Sequence, residues 1–303
     1  MPPSAQSILP RRRGPGGFPI GPALTLSLTW TLLVLLAAVM HAGWNVLVKF
    51  GNDALVNMTL IMGMAGLIAL AFVPFVDFPD RPSWIFLFGS LATHIGYYIF
   101  LLLGYRHGNL SLVYPTARGS APLLVAITSW LFVGEALTTT EMAGVAAISI
   151  GIFSLAVDRA GDARHNWRAV VFGLLTGLSI MGYTLCDGQG VRVAGDKYGY
   201  IVWLFVLDAP ALILICLALR GQKLFSLAKR HWKTGALGGA LSMAAYGIAI
   251  YAMSQAFMAQ VAALRETSVI FAAIFSAFIL KERFHPRRYA AVGMVALGAV
   301  LLH

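Results

Sequence analysis

The sequence predicts an all-α integral membrane protein: ten transmembrane helices arranged as two inverted five-helix repeats around a central cavity. Three observations carry this prediction. Of the 303 residues, 59% are hydrophobic and 11% are charged. An ordinary soluble domain is about 25% charged, so this chain has too little polar surface to cover itself in water. The apolar residues fall in long continuous runs rather than in alternation, the pattern of spanning helices and not of barrel strands. The second half of the chain also echoes the first at a fixed offset.

Taken in order, residues 1–22 are crowded with Pro, Gly and Ser and are expected to form a flexible tail. Arg11, Arg12 and Arg13 ahead of an apolar run imitate a signal peptide. The run from Ala23 to Val48 is too long for a signal core, however, and leads to Trp44, Asn45 and Lys49 without a small-residue cleavage site. A bilayer core about 30 Å thick needs roughly 20 apolar residues per helix. On that scale the spans fall at 24–48, 54–75, 83–104, 111–133, 141–157, 168–187, 198–219, 233–254, 261–280 and 288–302. The connectors (GND, DFPDRPS, RHGN, DRAGDARHN, GQK, RFHPRR) are too short for a soluble domain. The fifth and tenth spans (GVAAISIGIFS, AVGMVALGAV) are short and rich in small residues, which let helices approach closely.

The repeat shows in paired residues. Arg118 and Arg265 stand 265 − 118 = 147 positions apart, and Glu135/Glu282 and Gly151/Gly298 keep the same offset. Each half thus places an intramembrane arginine ahead of an acidic residue at a helix end. Two units of five spans follow: a tail over 1–22, a first repeat over 23–158 and a second over 159–303. Five is odd, so the second unit enters the bilayer with opposite polarity, the plan of many secondary transporters, with a site between the halves.

Net charge is +10. The basic residues sit in short connectors, which suits orientation in a membrane; no extended basic face exists to track phosphates, so nucleic acid is not an expected partner. Cys186 and Cys216 lie in apolar runs and read as small hydrophobes, with neither metal spacing nor a disulfide framework. No HExxH, phosphate loop or Ser/His/Asp order appears, so enzyme chemistry is not expected.

With these residues in view, the chain resembles the drug/metabolite transporter superfamily of EamA type. The resemblance rests on Trp44, Asn45 and Lys49 at the end of the first span, on the glutamates of VGEALT and LKERFH, and on the five-plus-five layout. It spans residues 24 to 302, with one departure: Lys281 precedes Glu282 where the first copy has Gly134. The resemblance implies export of metabolites, often amino acids, through a cavity between two curved halves.

Polar side chains in lipid are costly and normally face the protein interior or water. On the first span His41, Trp44 and Asn45 share one helical stripe, and Lys49 is a candidate interfacial anchor. On the third, His94, Tyr97 and Tyr98 repeat the pattern. On the fourth, Pro115, Pro122 and Gly119 loosen a helix carrying Tyr114 and Arg118 on one face. Arg265 lies beside Glu266 and three before Ser268; the sixth span carries Tyr183 and Asp187, with Gly182 preceding an aromatic as Gly43 does. Asp208-Ala-Pro210 is expected to break the seventh span, and Tyr246 follows Ser242 by one turn on the eighth. Each group also has a plain reading: helix–helix hydrogen bonds, an aromatic belt, or core packing. Glu135 and Glu282 read as helix caps or loop fasteners.

The expected function is a secondary transporter of a bacterial-type inner membrane that exports small metabolites, in particular amino acids with apolar or aromatic side chains, by alternating access. Arg118 or Arg265 would hold a carboxylate, His94, Tyr97 and Tyr98 the remainder, and Trp44 and Asn45 would gate; His41 and His94 are also candidate proton carriers. No cofactor or metal is implied, lipid and a small-molecule substrate are the expected partners, and a monomer suffices. The alternatives are a non-transporting scaffold or a lipid-binding protein. Basic residues after the fifth, seventh and ninth spans place those loops inside and both termini outside, while Arg11–Arg13 favour the opposite.

Overall fold

The structure is a computed structural model that describes residues 26–49, 53–157, 167–279 and 286–302. The expected tail with Arg11–Arg13, the connector with Arg159 and Arg164, and the stretch with Lys281, Glu282 and Arg283 lie outside the described residues, as does the side chain of Lys49. The described residues form α1 (Leu28–Lys49), α2 (Ala54–Phe72), α3 (Arg81–His107), α4 (Leu110–Thr128), α5 (Thr139–Val157), α6 (Trp167–Val193), α7 (Lys197–Arg220), α8 (Lys223–Met253), α9 (Met258–Arg265), α10 (Ser268–Ile279) and α11 (Pro286–Leu301). Among them, nine segments are long and apolar enough to cross a membrane, with α9 and the start of α10 counted as one; a tenth apolar helix, Arg288–Leu301, is shorter.

Helix ends follow from local chemistry. Asp53 caps α2, its carboxylate accepting from the Leu55 and Val56 amides at 3.2 and 3.4 Å. Asp196 caps α7 through the Tyr198 amide and also accepts from the Asp77 amide at 3.1 Å, which fastens the α2–α3 connector to the start of α7. α4 runs through Pro115 and Pro122 and finishes in a π turn, Ser129–Val133. Gly134 closes it at φ 78°, a left-handed conformation that glycine adopts without a Cβ penalty.

Two expectations are corrected. The seventh span does not break: α7 continues through Asp208 and Pro210. Proline removes one N–H donor, and α2 clamps the helix next to that position. A Cβ on Gly66 of α2 would lie 2.5 Å from the Ala209 Cβ and 3.1 Å from the Phe205 carbonyl oxygen. The ninth span, by contrast, does break. It starts at Met258, and α9 ends at Arg265 in a tight turn whose Glu266 and Thr267 amides bond to Ala263 and Leu264 oxygens at 3.0 and 3.1 Å. Every residue from Met258 to Ser268 is buried, the condition under which interrupted helix is tolerated at membrane depth.

The packing has two-fold character. α3 packs on α6 and α8 on α1; α4 packs on α6 and α10 on α1; α2 packs on α8 and α3 on α7. The short helices α5 and α11 pack on each other. There a Cβ on Gly298 would meet the Gly144 carbonyl oxygen at 2.6 Å, and one on Gly144 would meet the Gly298 oxygen at 2.8 Å. The two backbones touch, as the small residues of both spans predict.

Glu135, expected to cap a helix or fasten a loop, does both. Its carboxylate accepts from Arg192 at 2.6 Å and from the Met258 amide at the start of α9 at 2.8 Å. Arg192 donates further to the Met253 and Ala256 carbonyls. The connector from α8 to α9 is thus tied to the end of α4 and to α6. Outward, Leu32, Leu36, Leu67, Ile85, Phe88 and Leu214 are exposed. So much apolar surface is a liability in water and natural against acyl chains.

Candidate functional site

A cavity of about 90 Å³ opens between the two halves. On a scale where one water takes roughly 10–15 Å³, it has room for roughly six to nine water-sized groups, the size of a small metabolite. The first half supplies its walls from α1 (His41, Trp44, Asn45), α2 (Met58, Met62), α3 (His94, Tyr97, Tyr98) and α4 (Tyr114, Arg118). The second half supplies α6 (Tyr183), α7 (Leu204, Phe205, Asp208), α8 (Ser242, Tyr246) and α9 (Arg265).

The cationic side is built where α4 meets the α9–α10 break. Arg118 and Glu266 approach to 2.8 Å between Nε and Oε2, with side chains 6% and 1% exposed. The Nε–H is not aimed along that contact, so the pair is a charge contact more than an aligned hydrogen bond. The Arg118 Nη2 also lies 3.3 Å from His41 Nε2. Guanidinium only donates, so His41 accepts through Nε2 and is a neutral ring carrying its proton on Nδ1. Arg265 differs: it forms no ion pair among the described residues, and its buried Nε has no hydrogen-bond partner. Its guanidinium lies over the Tyr246 ring at 5.2 Å from the centroid.

Aromatic rings form the middle. His94 stacks on Tyr183 with centroids 4.1 Å apart and planes 12° apart, and Tyr97, Tyr98 and Tyr246 stand edge-on or tilted around this pair. The Ser90 carbonyl lies 3.0 Å from His94 Nδ1, so that nitrogen holds the proton and donates. Asn45 donates to the His41 carbonyl at 2.8 Å, which fixes its side chain along α1. At the other side Tyr98 donates to Asp208 Oδ2 at 2.6 Å.

Of the residues singled out in the sequence, His41, Trp44, Asn45, His94, Tyr97, Tyr98, Tyr114, Arg118, Tyr183, Tyr246 and Arg265 line one cavity. Three lie behind it. Glu266 is the buried partner of Arg118. Asp187 is fully buried and accepts from Tyr200 at 3.1 Å and from Tyr246 in a short hydrogen bond, so it joins α6, α7 and α8. Ser268 is buried at the start of α10. Met58, Met62, Leu204 and Phe205 carry no polar signal and were not legible. Asp208 was legible in principle: an acidic residue in the middle of the most apolar span, sharing a helical face with Leu204 and Phe205, is a site candidate by default.

The fold and cavity therefore define a multi-pass membrane protein with a polar and aromatic chamber between two related helical halves. A model of the EamA-like transporter family matches the chain twice, over residues 28–157 and 167–303, and the chain belongs to that family. No curated protein matches it in sequence. Among solved structures, 28 chains match. One, a crystal structure described only as that of a protein, aligns with a TM-score of 0.72 over 90% of this chain and 97% of its own, at 18% identity. That likeness speaks to the fold alone.

Proposed function

We propose that the protein is a secondary transporter of a bacterial inner membrane. It exports small metabolites, and its substrates are amino acids with apolar or aromatic side chains. Family membership supports transport, and one observation carries the substrate class: Arg265 is a buried guanidinium in the cavity wall that forms no ion pair among the described residues. A substrate carboxylate is the natural partner for such a group. The stacked His94–Tyr183 pair, with Tyr97 and Tyr98, offers an apolar and aromatic surface for the side chain. Arg118, already matched by Glu266, positions the α4 wall, and Trp44 and Asn45 gate at the end of α1.

Alternating access is supported by the two-fold packing, in which the α3–α6, α4–α6 and α2–α8 contacts have mates in α8–α1, α10–α1 and α3–α7. With five spans per half, the second half runs inverted to the first. Rocking of one half against the other then moves the access point while the chamber stays intact. A scaffold or lipid-binding protein would use its polar stripes between helices, whereas here eleven of the singled-out side chains line one chamber.

The test is counterflow of radiolabelled amino acids in proteoliposomes. The reading expects saturable exchange of leucine or phenylalanine, lost in Arg265→Gln. Absence of exchange for every amino acid, by a protein that elutes monodisperse, refutes it.

A further inference from the structure

We infer that Asp208 is the receptor for a positively charged amine on the substrate, so the chamber recognises a zwitterion by two separate poles. This rests on the proposed reading of the cavity as an amino-acid site and adds the half of the recognition which that reading leaves open. The Asp208 side chain lines the cavity at 8% exposure. Among the described residues only one of its oxygens is used: Oδ2 accepts from Tyr98, while Oδ1 is buried with no hydrogen-bond partner. Burying an acceptor without a donor is unfavourable, and more so for a charged group. The residue on the opposite side of the same balance sheet is Arg265, a buried cation with an unused donor.

The other charges near the chamber are matched within the protein. Glu266 meets Arg118, and Asp187 takes hydroxyl hydrogen bonds from Tyr200 and Tyr246 behind the wall. Among the described residues, a cation on α9 that forms no ion pair and an acidic group on α7 with one unused oxygen remain, in the same cavity. A ligand with a carboxylate and an ammonium completes both. A hard divalent cation fits less well at Asp208, because such ions take six or more oxygen ligands; no group of three or more metal-binding side chains exists among the described residues. An ammonium carries three donors, and Asp208 and Ser242 both line the chamber.

The experiment measures binding of three related probes to the purified full-length protein in nanodiscs: leucine, 4-methylpentanoate (which lacks the amine) and 3-methylbutylamine (which lacks the carboxylate). The wild type is expected to bind leucine at least roughly 30-fold more tightly than either partial analogue, the scale expected when one member of a buried charge pair is left alone. Asp208→Asn keeps the shape and removes the charge. It is expected to lose that roughly 30-fold preference for leucine over 4-methylpentanoate while binding of the acid changes by less than about threefold. Tyr98→Phe retains the carboxylate and is expected to keep the preference.

A wild type that binds leucine and 4-methylpentanoate equally overturns the inference, whether or not the Asn variant folds. So does an Asp208→Asn protein that retains the preference, or one in which Tyr98→Phe alone abolishes it. Leucine binding that needs sodium in the wild type but not in Asp208→Asn assigns the carboxylate to an ion and overturns it too. A wild type that binds no amino acid at all brings down the underlying reading instead, a distinct result.

Discussion

Replacing Glu266 by glutamine removes the ion-pair partner that Arg118 has among the described residues, while keeping the size of the side chain. The two groups are 2.8 Å apart and nearly inaccessible. At an effective dielectric constant of about 20, unit charges at that distance attract with about 6 kcal/mol. Desolvation offsets much of this in the intact pair, but it is not recovered when one partner is removed. Breaking a buried pair typically costs about 3–5 kcal/mol for that reason. His41 cannot take over, because its neutral ring already accepts from the same guanidinium. At roughly 2 °C of melting temperature per kcal/mol for a chain of this size, Glu266→Gln should melt roughly 6–10 °C lower in nanodiscs. The assay is intrinsic fluorescence during a thermal ramp, checked by size-exclusion recovery. The cycle is completed by Arg118→Gln and the double variant, which should recover at least half of the loss because no charge is then stranded. A single variant that melts within about 1 °C of wild type, or a double variant as unstable as the two losses combined, would refute the reasoning.

Other outcomes follow from the same geometry. Arg265→Gln removes a charge with no ionic partner among the described residues, so amino-acid exchange should disappear while the melting temperature stays level or rises; a fall beyond about 5 °C would mean that Arg265 is structural. Gly298→Ala places a Cβ 2.6 Å from the Gly144 oxygen and 2.7 Å from Ile148 Cγ1, so α5 and α11 must separate at a cost of roughly 1–3 kcal/mol, readable as a lower melting temperature with exchange per folded molecule retained. Glu135→Ala strips the cap from α9 and leaves Arg192 partly unpaired; faster proteolysis or hydrogen exchange in the 253–258 connector is expected, and unchanged protection there would count against the fastening role. Tyr200→Phe leaves Asp187 Oδ1 without its phenol donor and should destabilise by roughly 1–3 kcal/mol without changing which amino acids compete for the site.

Much of this arrangement was legible beforehand, for identifiable reasons. A membrane excludes polar groups unless the protein shelters them, so the few polar residues inside spans are informative. His41, Trp44 and Asn45 could be read as one stripe because a helix fixes their angular spacing, and His94, Tyr97 and Tyr98 likewise. The stacking of His94 on Tyr183 joins spans three and six, and no spacing rule relates residues that far apart. Asp208 was read as a breaking element with Pro210, although α2 holds α7 through that point at Gly66 and Ala209. The break between Arg265 and Ser268 was hidden for the opposite reason: the run is apolar enough to read as one helix, and only its burial among neighbours permits the interruption.

By itself, the sequence determined that the chain is helical, lies in a membrane and repeats itself, because those properties follow from local hydrophobicity and from offsets along one dimension. Tertiary structure decided which charges are satisfied. Arg118 and Arg265 are equivalent along the chain, yet one pairs with Glu266 where α4 meets the α9–α10 break, and the other forms no ion pair among the described residues and lies over the face of Tyr246. Charge pairing depends on distances of a few ångströms between helices far apart in sequence, and only packing sets those distances.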